Sequence, residues 1–486
     1  MAGQGKLTER VASGVAWSIA EKVGSALLQA VVSIVVANRI MPMDMGIIAV
    51  LTVFTTISQV VVDGGFSQAL IRKANPTQGD YKAVFRFNII FSCLLYVLLT
   101  AIAPLVARFY GWPLLADVAP ILFLLLPLNA LCVIQNTIMV REFRFAQLST
   151  INFLSSLISG IIAITMAIAG MGIWSLVGQR VSMMAAKAML LWWRSEWRPR
   201  RIDTRGRLRE MAPFSLRLMA TDIVAALYSN IAYPFIGKIY SGAVLGQYNQ
   251  AYKLVQMPLS AMQSIQSVTF PALSRISDEK EKFSKSCQLV IMMTAAIMFP
   301  IMAGLIATAE DIYTLLLKPD WHPAIPYFRI LCCIGFFYPI QMITYNILKV
   351  KSDGAIILKL EIAKRVATTI ILILTIPHSV MAVAWGMVAA TAFEMSLNAL
   401  ASRRYTSLGI TGLCRTLLPI TVLTATMYGA VMITGYFMAD CSVAARLFVK
   451  IAVGVAAYIV GGLTFRLESF TEGVSLVKRF IQKEEA

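Results

Sequence analysis

Fourteen mostly apolar stretches, each about 20 residues or a little longer, follow one another along this 486-residue chain. That is the length a helix needs to cross the hydrocarbon core of a bilayer. They run over 13–37, 46–70, 87–107, 118–140, 148–169, 173–193, 213–236, 246–272, 287–308, 326–348, 354–376, 380–402, 416–437 and 446–465. In hydrocarbon a backbone must satisfy its own hydrogen bonds. A chain built this way is therefore expected to be an all-α, polytopic membrane protein of about fourteen helices. Only 14% of its residues are charged, where soluble proteins carry about a quarter. Residues 1–11 are polar and basic. The apolar stretch after them is too long for a signal peptide and lacks a clear cleavage site, so it reads as an uncleaved first span.

The net charge is +18, which in a soluble protein would suggest nucleic acid. Here the question is on which side the charge lies. Lysine and arginine concentrate in every second connecting segment. The segment RSEWRPRRIDTRGRLR, residues 194–209, alone holds seven arginines. The intervening segments together hold Arg39, Arg108, Lys238 and Lys318, with Arg446 at the edge of the last. The positive-inside rule then places both termini in the cytoplasm and the 194–209 run at the cytoplasmic surface, against anionic headgroups. No nucleic-acid partner is expected.

A weak internal repeat divides the chain. Gly46 and Gly246 open spans two and eight. Ala69-Leu70 and Ala272-Leu273 close them, and Arg39 and Lys238 precede them. The offsets are all close to 200 residues. An offset of six spans keeps both copies in one orientation, as in parallel transporter repeats that place a substrate site between halves. The expected organisation is an N-lobe over 1–193, a basic cytoplasmic linker over 194–212, a C-lobe over 213–402, and two further helices with a tail over 403–486.

No catalytic or metal motif is found. The seven cysteines are scattered without ligand spacing, His322 and His378 lie far apart, and no nucleotide-binding glycine loop is present. No cofactor is expected. The outside loops are short, which disfavours a membrane polymerase or ligase.

The informative feature is polarity inside the spans. In span one, Ser18, Lys22, Ser25, Gln29 and Ser33 share one helical face, as do Thr52, Thr56, Gln59 and Asp63 in span two. In span eight the face holds Asn249, Lys253, Gln256, Ser260, Gln263 and Ser267; span seven contributes Asp222, Ser229 and Tyr233, with Arg217 nearby. Such stripes serve either hydrogen bonds between helices, at about 0.6–2 kcal/mol each, or a water-filled cavity. Their length, and their recurrence in the matching helices of both halves, favour the cavity. Charges inside spans are functional candidates. Lys22, Arg180, Arg217 and Lys253 make the expected cavity cationic, suited to an anionic, water-loving substrate. Ser18, Ser25, Gln29, Thr56, Gln59, Asn249, Gln256 and Gln263 would line it. Glu21, Asp222 and Glu394 are candidates for carrying H+ or Na+. Glu361 and Arg365, four residues apart, are expected to pair within their own helix.

Several segments carry a family resemblance: SGVAWS at 13–18, GGFSQALIRK at 64–73, REFRF at 141–145, GIWSLVGQR at 172–180, LGQYNQAYKLVQMPLS at 245–260, FPALSRI at 270–276 and WHPAIPYFRILCCIGFF at 321–337. With these the chain resembles the Wzx-type polysaccharide flippases of the multidrug/oligosaccharidyl-lipid/polysaccharide exporter superfamily, in the subgroup of the colanic acid exporter. The likeness runs to about residue 400. It implies two six-helix lobes around a central cavity, with two further helices. It implies alternating-access translocation of an undecaprenyl-pyrophosphate-linked oligosaccharide across the bacterial inner membrane, for exopolysaccharide, capsule or lipopolysaccharide synthesis. Membrane lipids, a polysaccharide polymerase and a co-polymerase would be its partners. Competing readings are a drug or metabolite antiporter of the same fold, a lipid II flippase, a polymerase or ligase, and a non-transporting scaffold. The basic character of the deep charges disfavours an exporter of cations.

Overall fold

Each apolar stretch of the sequence is mainly helical in its described part, with breaks at Gly64-Gly65, Leu124, Asn230-Ile231 and Cys333. The structure is a computed structural model, and the residues described are 21, 24–199, 202–204, 206–352, 355–406 and 410–465. Lys22 and Ser18 lie outside them, as does the side chain of Gln263. The described chain holds no strand. Nine helical segments in it are long and apolar enough to cross a membrane. Spans six, seven, eight and eleven fall short of that apolarity; they are the helices that carry Arg180, Lys187, Arg217, Lys253, Lys364 and Arg365. Span one is described as a shorter apolar helix, α1 (Gly24–Ala37).

Two compact units divide the chain, Met1–Asn249 and Gln250–Ala486. In the first, α2 (Pro42–Asp63) and α3 (Phe66–Arg72) together make span two. The break between them is Gly64-Gly65, both left-handed at φ 55° and 68°. A side chain is strained in that region, and a Cβ on Gly65 would also lie 2.6 Å from the carbonyl oxygen of Ser215. Then follow α4 (Gln78–Tyr110), α5 (Pro113–Phe123), α6 (Leu125–Arg141), α7 (Phe145–Ile168), α8 (Ile173–Arg194), α9 (Arg207–Ser229) and α10 (Ala232–Ile239). Span four is thus two helices as well, α5 and α6. The pairs α7 with α8, α4 with α5, and α2 with α9 pack together.

At one end of this unit the basic segments fold onto each other. Arg141 donates to the carbonyls of Leu70 at 2.7 Å, Lys73 at 2.5 Å and Ala74 at 3.1 Å, capping the open C-terminus of α3. Asp80, fully buried, accepts from the Thr77 backbone N–H at 2.8 Å and the Thr77 hydroxyl at 2.9 Å, in the capping box that starts α4. Arg207 and Lys73 reach the same carboxylate at 3.2 and 3.3 Å. Lys73 also donates to Glu210 at 3.0 Å, which holds its ammonium above the ordinary lysine range.

Part of the arginine run also bonds to the protein itself, although Arg194, Arg198 and Arg209 stay exposed. Arg198 donates to the carbonyls of Ser195 and Trp192, both at 2.6 Å, and Trp197 is buried beside Phe66, Tyr81 and Met211. Helix α9 already starts at Arg207, inside the expected linker. Asp80→Ala is expected to cost about 1–3 kcal/mol, the range for leaving buried donors unsatisfied. Thermal melting in detergent would show it, and an unshifted melt would mean that the carboxylate holds nothing together.

α11 (Gly242–Arg275) begins in the first unit. Its first turns meet the first turns of α2 in a reciprocal way. A Cβ on Gly46 would overlap the carbonyl of Gly242, and a Cβ on Gly246 would overlap the carbonyl of Pro42. Pro42 and Gly46 stand 200 residues before Gly242 and Gly246, the offset expected of the repeat.

The second unit is built around α12 (Lys280–Leu316), packed by α14 (Ile334–Lys351), α17 (Ile410–Phe437) and α18 (Val443–Thr464). α13 (Ile325–Cys332) and α14 divide span ten at Cys333, after a 3-10 turn at Pro319–Ala324. α15 (Ala355–Thr375) and α16 (Val380–Ser402) pack together, and α16 also lies on α14. Phe283, Cys287, Ile291, Ile347 and Leu417 are part of one apolar core. A single carboxylate ties α12 to α18: Asp311, 1% exposed, accepts from Arg446 and Lys450 at 2.6 Å each.

Candidate functional site

Four helices of the first unit bring their polar side chains to one place. Gln29 of α1 donates to Ser156 Oγ of α7 at 3.0 Å. Gln179 of α8 donates to Gln29 Oε1 at 3.2 Å. The next residue, Arg180, donates to Thr52 Oγ1 of α2 at 2.9 Å, and Thr52 in turn donates to the Ile48 carbonyl at 2.6 Å. Arg180 therefore meets a hydroxyl here. Among the described residues no carboxylate lies within ion-pair distance of it, and the half-buried guanidinium keeps further donors for an anion.

Thr56 and Gln59 continue along α2, both half-buried. Asp63, at the far end of α2, accepts from Ser67 at 3.5 Å and lies in electrostatic range of Asp222 and Lys187. Arg217 and Asp222 are exposed on α9. Glu21 accepts from Ser25 at 3.3 Å, one turn along α1. Gln29 and Arg180 are thus in one cluster, with Thr56 and Gln59 along the same helix as Thr52. Asn249 is buried on α11, while Lys253 and Gln256 lie further along it, half-buried, in the part that belongs to the second unit.

A second polar constellation lies wholly within the second unit. Glu361 of α15 is paired with Lys364 at 2.8 Å and Arg365 at 3.1 Å, as their spacing predicts. Glu394 of α16 accepts from Gln341 of α14 at 2.9 Å and lies 4.0 Å from Arg365. These groups line a cavity of about 320 Å³ together with Tyr345 and Asn398.

Comparison with known proteins settles the family. The family model described as "Polysaccharide biosynthesis protein" matches residues 35–326, more than half of the chain. The chain belongs to this family. It is 26% identical over 337 residues to the teichuronic acid biosynthesis protein TuaB of Bacillus subtilis (strain 168), covering 68% of this chain and 69% of that one. It is 25% identical over 362 residues to the succinoglycan biosynthesis transport protein ExoT of Rhizobium meliloti (strain 1021), covering 74% and 73%. Its fold matches the lipid II flippase MurJ in an inward closed conformation, with a TM-score of 0.71 at 14% identity over 91% of this chain and 97% of that chain. These findings bear out the resemblance read from the sequence.

In this polysaccharide biosynthesis protein the family-like segments have distinct structural uses. GGFSQALIRK supplies the left-handed pair and the helix that Arg141 of REFRF caps. GIWSLVGQR delivers Gln179 and Arg180 to the polar cluster. Sequence reasoning missed Gln179, Ser156, Gln341, Tyr345 and Asn398. Gln179 adjoins Arg180 and shares its motif, which was a usable signal.

Proposed function

We propose that this protein turns over an undecaprenyl-pyrophosphate-linked oligosaccharide from the cytoplasmic to the periplasmic leaflet of the bacterial inner membrane. The lobes would be the repeats 1–193 and 213–402, joined by 194–212, with both termini cytoplasmic. Arg180 carries the reading. It is a guanidinium among hydroxyls and amides on helices of a polysaccharide biosynthesis family member. A pyrophosphate offers the bidentate oxygens that arginine binds best. The remaining cationic candidates are Lys22, Arg217 and Lys253. The lipid tail would stay in the bilayer while the head group crosses through a polar interior. A drug antiporter for cations is disfavoured, because carboxylates rather than a guanidinium would then be expected at this position.

Arg180→Ala is expected to abolish surface polysaccharide while leaving protein level and membrane insertion intact. Arg180→Lys, which keeps the charge but loses the planar fork, should retain part of it. Normal polysaccharide from Arg180→Ala would remove the assignment. Coupling to H+ or Na+ would run through Glu21, Asp222 or Glu394; transport into proteoliposomes that persists without an ion gradient would remove that part of the proposal.

A further inference from the structure

The cavity between α14, α15 and α16 enters the reading above only through Glu394. At about 320 Å³ it stands at the lower end of small-molecule sites. Its charges cancel, with Lys364 and Arg365 against Glu361 and Glu394. A free anion would meet two carboxylates, and a free cation would meet an ammonium and a guanidinium. A wholly apolar ligand would strip these groups of water and give nothing back.

What the cavity does offer is hydrogen bonding. Asn398 is 1% exposed, and its Oδ1 has no hydrogen-bond partner. A buried acceptor in that state costs about 1–3 kcal/mol, and Asn398 is part of the cavity wall. That oxygen has no accessible surface, so Asn398 meets a ligand through the rest of its side chain. Glu394 supplies acceptors and Arg365 supplies donors on the same wall. Tyr338 and Tyr345 add aromatic surface, which suits the apolar C–H face of a ligand. Neutral overall, donor and acceptor at several points, and apolar on its faces: this describes a sugar ring.

We propose that the α14–α16 cavity binds a neutral sugar ring, with Asn398 in its wall, Glu394 and Arg365 supplying the polar contacts and the two tyrosines the apolar face. The choice of a sugar over other neutral polyols rests on the reading of the chain as an oligosaccharide flippase. The contacts themselves are independent of Arg180. Glu394, one of the three coupling candidates above, also faces the sugar here.

The test uses the full chain in lipid nanodiscs, with glucose, galactose and N-acetylglucosamine as probes. Saturation-transfer NMR is expected to show transfer to the ring protons of at least one of them, above empty nanodiscs. Asn398→Leu should reduce that transfer at least several-fold without lowering the melting temperature, because it removes an unsatisfied buried amide. As a check that does not need this variant, Gln341→Cys should be alkylated several-fold more slowly in saturating sugar, and equally fast in sodium chloride or sodium pyrophosphate. No transfer from the parent protein to any of the three sugars would overturn the proposal. So would unchanged transfer in Asn398→Leu, or protection of the cysteine by the salts. Arg180→Ala is the control that separates the two readings. It should keep the sugar signal while losing transport, whereas normal transport with an intact sugar signal would remove the role of Arg180 and leave this site standing.

Discussion

Asp311→Ala is expected to destabilise the second unit by about 3–5 kcal/mol, the range for removing one partner of a buried ion pair. One carboxylate, 1% exposed, holds both Arg446 and Lys450 of α18 against α12 at 2.6 Å. Without it two cations remain, one turn apart, with nothing opposite them. Lys450 has little room to move, because its ammonium packs against the backbone of Gly435. The loss would appear as a large drop in melting temperature, or as earlier loss of a monodisperse gel-filtration peak on heating. The triple change Asp311→Leu, Arg446→Met and Lys450→Met should recover most of it. Replacing a whole buried ionic group by apolar side chains is often neutral or stabilising. An Asp311→Ala protein that melts with the parent would show that the triad contributes nothing net.

Gly46→Ala and Gly246→Ala should also be severe. Overpacking a helix contact costs about 1–3 kcal/mol when side chains can give way. Here the obstacle to each new Cβ is a backbone carbonyl, that of Gly242 in one case and of Pro42 in the other. The effect should lie at or beyond the upper end of that range, and the double variant should cost less than the sum of the two singles. Once the first Cβ has pushed the helix ends apart, the second has room, which is the non-additivity of directly touching sites. Melting temperatures of the two singles and the double would decide it; strict additivity would mean that the two contacts are independent.

The spans were legible because hydropathy averages over 20 residues and a membrane helix needs that many. The same averaging hid the breaks at Gly64-Gly65, Leu124 and Cys333, which are local events of backbone geometry. The stripe in span one put Gln29 on the polar face, and in the structure its side chain bonds Ser156 and Gln179. It could not show that Ser156 and Gln179 would be the groups it meets, since periodicity fixes a face and not the helix opposite. The repeat placed Gly46 and Gly246 at equivalent positions, but their mutual contact needed three dimensions. Charge asymmetry pointed to the arginine run, yet within it Arg198 binds backbone carbonyls and Arg207 the Thr77 and Asp80 side chains, while Arg141, outside the run, caps α3. A count of positive residues does not separate those that hold the fold from those that face the membrane.

The polarity of α15 bears on how the chain enters the bilayer. It carries Lys359, Glu361, Lys364 and Arg365 within one short stretch. Each charged residue near a helix centre opposes insertion by about 2.5–3.5 kcal/mol when it stands alone. A nascent α15 leaving the translocon singly would be retained or rejected. Drawing Lys364 and Arg365 onto Glu361 lowers that barrier from within the helix, and the arrival of α16 with Glu394 lowers it further. The groups that line this cavity would thus also oblige α15 and α16 to enter the membrane as a pair.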